Sequence, residues 1–517
     1  MKWKGAFTPR GTPVRQRNII SCLALIALTG CATSALKLAP DQPDRPWTPA
    51  TASNGEIIPG RDTSAPPAKT YILPANPAIV VPTAPAIDHG HSYTLPELID
   101  IAERSNLQTR VAWNQARDAA LAAGIAQSLF LPRIAVSAIG GHQSADGTLD
   151  GQNRTNSNSL DGSVTAVSLD WLLFDFGQRR AIVGAARQLA VVSDIGFTEA
   201  HQRLIHVVSV AFYLEAATQA RVQAATEGLA NAHVIEAAAQ NRLKNGTGTI
   251  VEAAQAKQLV AHAELKRVQA QGDQRNSDVD LLAAIGISPL TVLKLADISG
   301  RALPVDATDQ LEPIIAQSIG RRPDVLGAFA AEKARQAEVK AAQADFKPKI
   351  FLSASGSYVS GNIGLSAIPG ADQQGPVLNL AGHHVGATVL AGVRMPLFDG
   401  GTRAADLAQA RDRADSAAAT LADVRNQAVK EIVTADNALR TALAAYAASG
   451  TLLDAAQTSY SAALAAYQHG VGSLTEVASA ETQLVDARSA RSDAYSNALS
   501  AAASLALATG ELGSSPL

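Results

Sequence analysis

Four segments of the chain alternate apolar and polar residues, the pattern of β-strands that have one apolar face. Every second residue of 385–397 is apolar, and Thr388 lies on the opposite face. Residues 164–173 alternate in the same way, and two further strands begin just after Pro132 and Pro348. The pattern predicts two β-hairpins, but alternation alone does not separate a membrane strand from a strand of a soluble sandwich. The loops of the two hairpins are rich in Gly, Ser and Asn and are predicted over 143–162 and 360–383.

Helical periodicity fills most of the remaining chain. No proline interrupts 133–288 or 397–515, and Leu204 and Val208 begin an apolar row at four-residue spacing. Residues 178–244 are predicted to form one helix of about 67 residues, or roughly 100 Å. Since such a helix cannot bury itself in a compact domain, it must pack against partners along its length.

A shorter helix is predicted before each hairpin, over about 95–130 and about 309–346. Thr94 and Glu97 have the spacing of a capping box and mark the start of the first of these helices. The pattern in each half of the chain therefore predicts a short helix, a hairpin, a very long helix and a return helix.

The two halves form an internal repeat. Leu173-Phe-Asp-Phe-Gly-Gln-Arg179 recurs 224 residues later as Leu397-Phe-Asp-Gly-Gly-Thr-Arg403, whereas Pro132 recurs 216 residues later as Pro348. The difference falls within the hairpin loops, where insertions are tolerated. The predicted boundaries are repeat 1 over 93–290, a linker over 291–307, repeat 2 over 308–511 and a tail over 512–517.

Composition narrows the functional class. Of the 517 residues, 47% are hydrophobic but only 4% are aromatic, which favours extended helices over several compact cores. The net charge is −3 and no basic stripe with interleaved aromatic residues occurs, so we predict no nucleic-acid partner.

The N-terminus predicts export. A basic stretch precedes a short apolar run over 19–28, and the sequence Leu28-Thr-Gly-Cys31 resembles a bacterial lipobox. We therefore predict a signal peptide over 1–30, lipidation of Cys31 and an acylated tether rich in Pro, Ala and Thr over 31–92. The residue after Cys31 is not Asp, which favours the outer membrane. An ordinary signal peptide with a chance cysteine is the alternative.

Four strands cannot close a barrel. In lipid, each unpaired backbone group at an open sheet edge costs several kcal/mol. The smallest usual membrane barrel has about eight strands, so at least two chains would share one barrel, and three chains would supply about twelve strands. The polar strand face would then line water.

The chain resembles the TolC-type outer-membrane efflux family, in its lipoprotein branch. The resemblance is carried by the duplicated Leu-Phe-Asp-x-Gly-x-Arg motif, the duplicated Gly-x-Gly turns and Cys31 in its box. It implies a mainly α fold with membrane β-strands: a homotrimer with one shared twelve-stranded β-barrel in the outer membrane and a periplasmic α-barrel of coiled-coil helices. It also implies a duct of a tripartite efflux or type I secretion system, with a periplasmic adaptor and an inner-membrane transporter as partners. Neither enzymatic activity nor a cofactor is expected.

The resemblance assigns roles to the two interhelical turns. Adaptor hairpins dock at the turns in this family, and the matching residues are Gly246, Gly248, Gly470 and Gly472. They occupy the same relative positions in the two repeats.

The family often has two acids one turn apart after the second turn, which form acidic rings at a constriction. Here Glu476 is present but Ser479 occupies the other position. One ring of three Glu476 side chains is therefore expected as a cation-selective periplasmic gate. The alternative is that Glu476 is a first-turn helix acid, as Glu252 is in repeat 1.

The other polar motifs favour structural roles. Asp175 and Asp399 precede long helices and are predicted to be caps. Asp88-His-Gly-His91 and His383-His384 supply too few ligands for a closed metal site, and lone serines without a partnered His and Asp supply no triad. A non-channel periplasmic coiled-coil scaffold lipoprotein is the main alternative function, and an enzyme is disfavoured.

Overall fold

A computed structural model describes residues 87–148, 155–298, 311–361 and 385–513, with Leu303 and scattered residues over 39–80. The chain divides into two units, Met1–Thr83 and Ala84–Leu517. The signal peptide and Cys31 lie outside the described residues. The first unit contains a short antiparallel pair, β1 (Pro49–Thr51) and β2 (Ile57–Arg61), within the segment that was predicted to be a tether.

The second unit contains both repeats. Repeat 1 holds β3 (Ser92–Tyr93), α1 (Leu95–Ser105), α2 (Leu107–Ser128), β4 (Arg133–Thr148), β5 (Thr155–Phe174), α3 (Gln178–Lys244) and α4 (Ile250–Ile285). After β6 (Lys294–Leu295), repeat 2 holds α5 (Leu311–Ser318), α6 (Pro323–Ala344), β7 (Lys349–Gly361), β8 (Val385–Arg394), α7 (Thr402–Gln468) and α8 (Leu474–Ala508).

The long helices confirm the tandem repeat. Helices α3 and α7 each have 67 residues, and the return helices α4 and α8 have 36 and 35. The predicted helix over 178–244 matches α3 at both ends.

The short helices differ from the prediction, because each is broken. Asn106 interrupts the predicted 95–130 helix: its backbone is extended, its side-chain oxygen accepts the Gln108 N–H at 2.8 Å, and its amide donates to the Ala284 carbonyl at 3.2 Å. An Asn side chain competes with helical backbone bonds in this way. The predicted 309–346 helix is broken before Pro323, which can begin a helix but excludes a helical conformation from the preceding residue.

The four long strands form one antiparallel sheet in the order β4-β5-β7-β8. Its register places an apolar row, Ile134, Leu169, Ala354 and Val389, across one face. The adjacent row on the other face contains Ser168, Ser355 and Thr388. The predicted alternation is therefore confirmed as one apolar and one polar face of a continuous sheet.

Three strand ends differ from the predicted ones. The loop predicted over 143–162 is too long, because β4 continues to Thr148 and β5 begins at Thr155. Strand β8 ends at Arg394 rather than at 397, since Pro396 has no N–H to donate to a ladder. The pairing of β5 with β7 shifts between Leu172 and Phe174, so a bulge breaks the strict alternation at this end.

The helices lie side by side below the sheet. Helix α3 packs against α2, α4, α6 and α8, and α7 packs against α6 and α8. One apolar cluster, around Phe212 and Leu281, fills the middle of this layer, and another, around Tyr467 and Val477, fills the end that carries the two turns. The chain thus places its membrane-type sheet and its two turns at opposite ends of helices α3 and α7.

Candidate functional site: the paired turns and the strand-to-helix junctions

The two Gly-x-Gly turns have the same backbone geometry. Gly246 and Gly470 have φ values of 70° and 81°, in the left-handed region that favours glycine. A Cβ on Gly248 would lie 2.9 Å from the Arg242 Cβ, and one on Gly472 would lie 3.0 Å from the Ala466 Cβ. In each turn the first glycine adopts the left-handed backbone conformation. The second glycine has no Cβ, which allows the turn to approach the preceding helix closely.

Capping boxes start the return helices after both turns. The Ser473 N–H donates to Glu476 Oε2 at 2.9 Å, and the Glu476 N–H donates to Ser473 Oγ at 3.2 Å. Thr249 and Glu252 make the same reciprocal pair at 3.3 and 3.1 Å. The repeated box gives Glu476 a local structural role, and the residue itself is exposed.

Ser479, which takes the place of the second family acid, lies one turn further along α8 and is exposed. It lines a groove of about 440 Å³ together with Gln255 and Leu259 of α4 and Thr482 of α8. The groove is therefore uncharged and largely apolar, with hydroxyl groups from Ser479 and Thr482 among its polar groups.

A contact between Arg242 and Tyr467 joins the two turns, and the sequence did not reveal it. Arg242 Nη1 donates to the Tyr467 carbonyl at 2.7 Å, and its guanidinium lies 4.8 Å from the centre of the Tyr467 ring. Tyr467 is completely buried. Because Arg242 lies in the last turn of α3 and Tyr467 in the last turn of α7, this contact ties one helical hairpin to the other. The 224-residue offset takes Arg242 to Ala466, so the repeat itself contains no sign of the pair.

The repeated Leu-Phe-Asp-x-Gly-x-Arg motif forms a clamp at each strand-to-helix junction. Asp175 Oδ2 accepts the Arg179 backbone N–H at 2.9 Å and its Nε–H at 2.8 Å, and Oδ1 accepts the Gly177 N–H at 3.2 Å. Arg179 Nη1 then donates to the Leu129 carbonyl at 3.0 Å. The motif therefore connects the helix start to the end of α2.

Asp399 makes the corresponding contacts in repeat 2. Its carboxylate accepts the Gly401 N–H at 3.1 Å and the Arg403 Nε–H at 2.5 Å. The N-cap residues themselves are Gly177 and Gly401, so both aspartates stabilise the helix start from two residues upstream rather than from the predicted cap position. Burial opposes ionisation of Asp175, but its hydrogen bonds from Arg179 prevail and hold the pKa of the carboxyl below its ordinary value.

The histidine motifs show local contacts. His91 Nε2 lies 3.0 Å from Glu97 Oε1, and His89 Nδ1 lies 3.1 Å from the Val292 carbonyl. Within the described part of the chain, no group of three or more His, Cys, Asp or Glu residues could hold a metal ion. His383 and His384 lie outside the described residues.

Arg322 links the start of α6, the end of α8 and the middle of α7. It is the N-cap residue of α6, donates to the Ala508 carbonyl at the end of α8 at 2.7 Å, and contacts Glu431 of α7 at 2.6 Å. This arrangement gives the Arg321-Arg322-Pro323-Asp324 segment an architectural role.

A pair of carboxyl groups lies between α3 and α4 and was not anticipated. Glu215 is 2% exposed, accepts a hydrogen bond from Thr218 Oγ1 at 3.0 Å, and lies 3.4 Å from Gln274 Nε2. Burial, together with the adjacent Asp278 carboxylate, raises the pKa of Glu215 to about 7. Burial also raises the pKa of Asp278, so both carboxyl groups of the pair bind a proton more readily than exposed ones do.

Comparisons with known proteins agree with this geometry. Residues 98–287 and 314–511 match the family model described as outer membrane efflux protein. Protein CyaE of Bordetella pertussis is 28% identical over 476 residues, which cover 91% of this chain and 95% of the relative. Cation efflux system protein CusC of Escherichia coli K12 is 26% identical over 353 residues, covering 67% and 72% respectively.

Solved structures share the fold. A crystal structure of CusC superposes with a TM-score of 0.68 at 21% identity, over 84% of this chain and 99% of that one. VceC of Vibrio cholerae superposes with a TM-score of 0.66 at 21% identity, over 80% and 96%. Since the family model covers most of both structural repeats, the chain belongs to the outer membrane efflux protein family.

Proposed function

We propose that the chain is one subunit of a lipid-anchored outer-membrane channel, the exit duct of a tripartite efflux or type I secretion system. The observation that carries this proposal is a sheet that is apolar on one face and polar on the other, continuous with two 67-residue helices. The name of the relative CusC, a cation efflux system protein, supports export as the activity.

The apolar sheet face fits lipid. Ile134, Val136, Val389 and Val393 are between 67% and 72% exposed. A soluble sheet would cover such a surface with a second layer, whereas a bilayer satisfies it directly. The opposite face carries Asp170, which accepts a hydrogen bond from Ser353 at 3.1 Å, and suits a water-filled lumen.

The open edges favour a homotrimer. Strands β4 and β8 are the two edges of the sheet, and lipid does not tolerate unpaired edges. Pairing β8 of one copy with β4 of the next in a ring of three would give about twelve strands, enough for an aqueous channel. The long helices would then enclose a periplasmic tunnel of roughly 100 Å.

Each end of this assembly would have its own binding partner. Cys31 would carry the lipid that anchors the outer-membrane end. The turns at Gly246–Gly248 and Gly470–Gly472 would receive a periplasmic adaptor, which connects the duct to an inner-membrane transporter. Glu476 would contribute one carboxylate per subunit to a ring at the same end.

Two neighbouring residues on opposite faces of β8 provide the test. Val389→Lys places a charge on the lipid face, at about 2–4 kcal/mol per subunit near the bilayer midplane, and should greatly reduce membrane insertion. Thr388→Lys adds the same charge to the proposed lumen face, so the protein should insert and its channel should shift toward anion selectivity.

Insertion is measured by resistance to extraction after removal of the lipid anchor and by heat-modifiable migration on gels. Function is measured as single-channel conductance in planar bilayers, and assembly as mass in detergent. A monomer without conductance, released without detergent once its anchor is cut, would instead identify the scaffold lipoprotein. Equal tolerance of both lysines would show that the face assignment is wrong.

A further inference from the structure

Glu481 is a buried carboxyl group at the contact between α8 and α3. Its residue is 4% exposed, and its Oε1 atom has no hydrogen-bond partner within the described chain. It lies directly against Gly228 of α3: a Cβ at Gly228 would be 2.9 Å from Glu481 Oε1 and 2.6 Å from Val485 Cγ2. The glycine, within the last third of the 67-residue helix α3, leaves room for the carboxyl where a Cβ would not.

The cations near Glu481 are engaged elsewhere. Lys266 of α4 donates to Asp486 at 3.2 Å, and Arg488 of α8 contacts Glu227 of α3 at 2.6 Å. Among the described contacts, neither cation donates a hydrogen bond to Glu481.

The remaining neighbours of Glu481 come from three helices. Helix α4 contributes His262 to the lining of the small cavity at Glu481, α3 contributes the apolar Ala225 together with Gly228, and α7 contributes the nearby Tyr460. A carboxylate that is removed from water without a partner is strongly disfavoured relative to the neutral acid.

We propose that Glu481 is a proton-binding site that controls how closely α8 packs on α3 next to the Gly470–Gly472 turn. In the neutral form the carboxyl fits the dry space over Gly228. In the charged form α8 must withdraw to admit water, or Lys266 must leave Asp486. The inference rests on the proposed channel function, because α8 begins at this turn and carries Glu476.

The burial of Glu481 determines whether the stability of the folded protein rises or falls with pH. Desolvation raises the pKa of Glu481 to about 7, with the charges of Lys266 and Arg488 opposing the shift and that of Asp486 adding to it. An unfolded carboxyl has a pKa of about 4.3. The folded protein therefore binds more protons than the unfolded protein between these values, and its stability falls as pH rises through that window.

Protonation is tested directly by infrared difference spectroscopy of the purified assembly. Titration from about pH 5 to about pH 9 brackets the ordinary and shifted values. A protonated-carboxyl band should be lost near neutral pH in the wild type and should be reduced in Glu481→Gln. Glu215→Gln serves as a spectral control, because it removes a different buried acid and should leave the Glu481 contribution in place. If Glu481→Gln leaves the band unchanged, the carboxyl is ionised and the inference is wrong.

Regulation is tested in planar bilayers. Wild-type channels should open more often as pH rises through neutrality, and Glu481→Gln, which cannot ionise, should lose this response. Glu199→Gln, which removes an exposed carboxylate paired with Arg203, should retain it. An identical pH response in wild type and Glu481→Gln would overturn the regulatory role. Absence of conductance at every pH would instead refute the channel proposal, while the infrared result would still decide protonation.

Discussion

Replacing Arg242 with Ala should loosen the contact between the two turns. In the folded chain this single side chain joins the end of α3 to the end of α7 through the Tyr467 carbonyl, and it also donates to the Thr247 carbonyl at 3.3 Å. If the turns form the periplasmic end of a channel, we expect that loosening this contact lets them separate and opens that end.

The free energy that the Arg242→Ala substitution removes can be worked out from the two interactions that are lost. A hydrogen bond from a charged donor contributes about 1.5–3 kcal/mol, and a cation–π contact contributes about 0.5–1 kcal/mol. Together they hold the turns by about 2–4 kcal/mol per subunit. Each 1.4 kcal/mol corresponds to roughly a tenfold change in an equilibrium constant, so removal of all three copies should increase open probability by orders of magnitude.

Single-channel recording in planar bilayers measures this change. Lys244→Ala is the matched control, because it removes the same charge from an exposed residue two positions away. Arg242→Lys should give an intermediate phenotype, since an ammonium retains charge but cannot reproduce the planar guanidinium contacts. If Arg242→Ala opens no more often than Lys244→Ala, the contact does not restrain the turns.

Four further changes test other parts of the structure. Arg179→Ala leaves a buried carboxylate unpaired and should destabilise the protein by about 3–5 kcal/mol, measured by thermal unfolding, whereas the same change at the more exposed Arg403 should cost less. Gly228→Ala should destabilise by about 1–3 kcal/mol through overpacking, and a neutral result would show that α8 is not tightly seated on α3. Glu215→Gln should flatten the loss of thermal stability as pH rises toward about 7, because the raised pKa makes the wild type lose a bound proton there; an unchanged slope would contradict this. Glu476→Gln should reduce cation selectivity and divalent block, and an unchanged reversal potential would exclude the ring.

The periodic parts of the fold could be predicted from the sequence because a regular spacing determines them. The bounds of α3 and the two faces of the sheet follow from 3.6- and 2-residue periods. The helix break at Asn106 could not be predicted in the same way, since it depends on the Ala284 carbonyl from a distant helix. The shortened end of β8 is predictable in principle from Pro396, because proline has no N–H to donate to the ladder.

The functional contacts were harder to predict than the elements that carry them. Glycines at the turns are visible because backbone geometry restricts the residue type, whereas Arg242 and Tyr467 become neighbours only when α3 and α7 are packed together. Glu481 likewise looks like an ordinary charged residue in a helix. Its burial depends on Gly228, which lies more than 250 positions earlier in the chain.

The difference between the two junction clamps supports assembly by a ring of copies. In repeat 1 the Asp175 side chain is 6% exposed, whereas the equivalent Asp399 side chain is 30% exposed. Helix α3 lies between α2 and α6, but α7 has only α6 on that level, and Leu397 and Phe398 at its start are 87% and 89% exposed. The packing order α2-α3-α6-α7 follows the strand order β4-β5-β7-β8, so α2 and β4 end one side of this arrangement and α7 and β8 end the other. One neighbouring copy would therefore cover the exposed Asp399 clamp and also pair with the free edge of β8. In a closed ring, the junction of repeat 2 would then be as well covered as that of repeat 1.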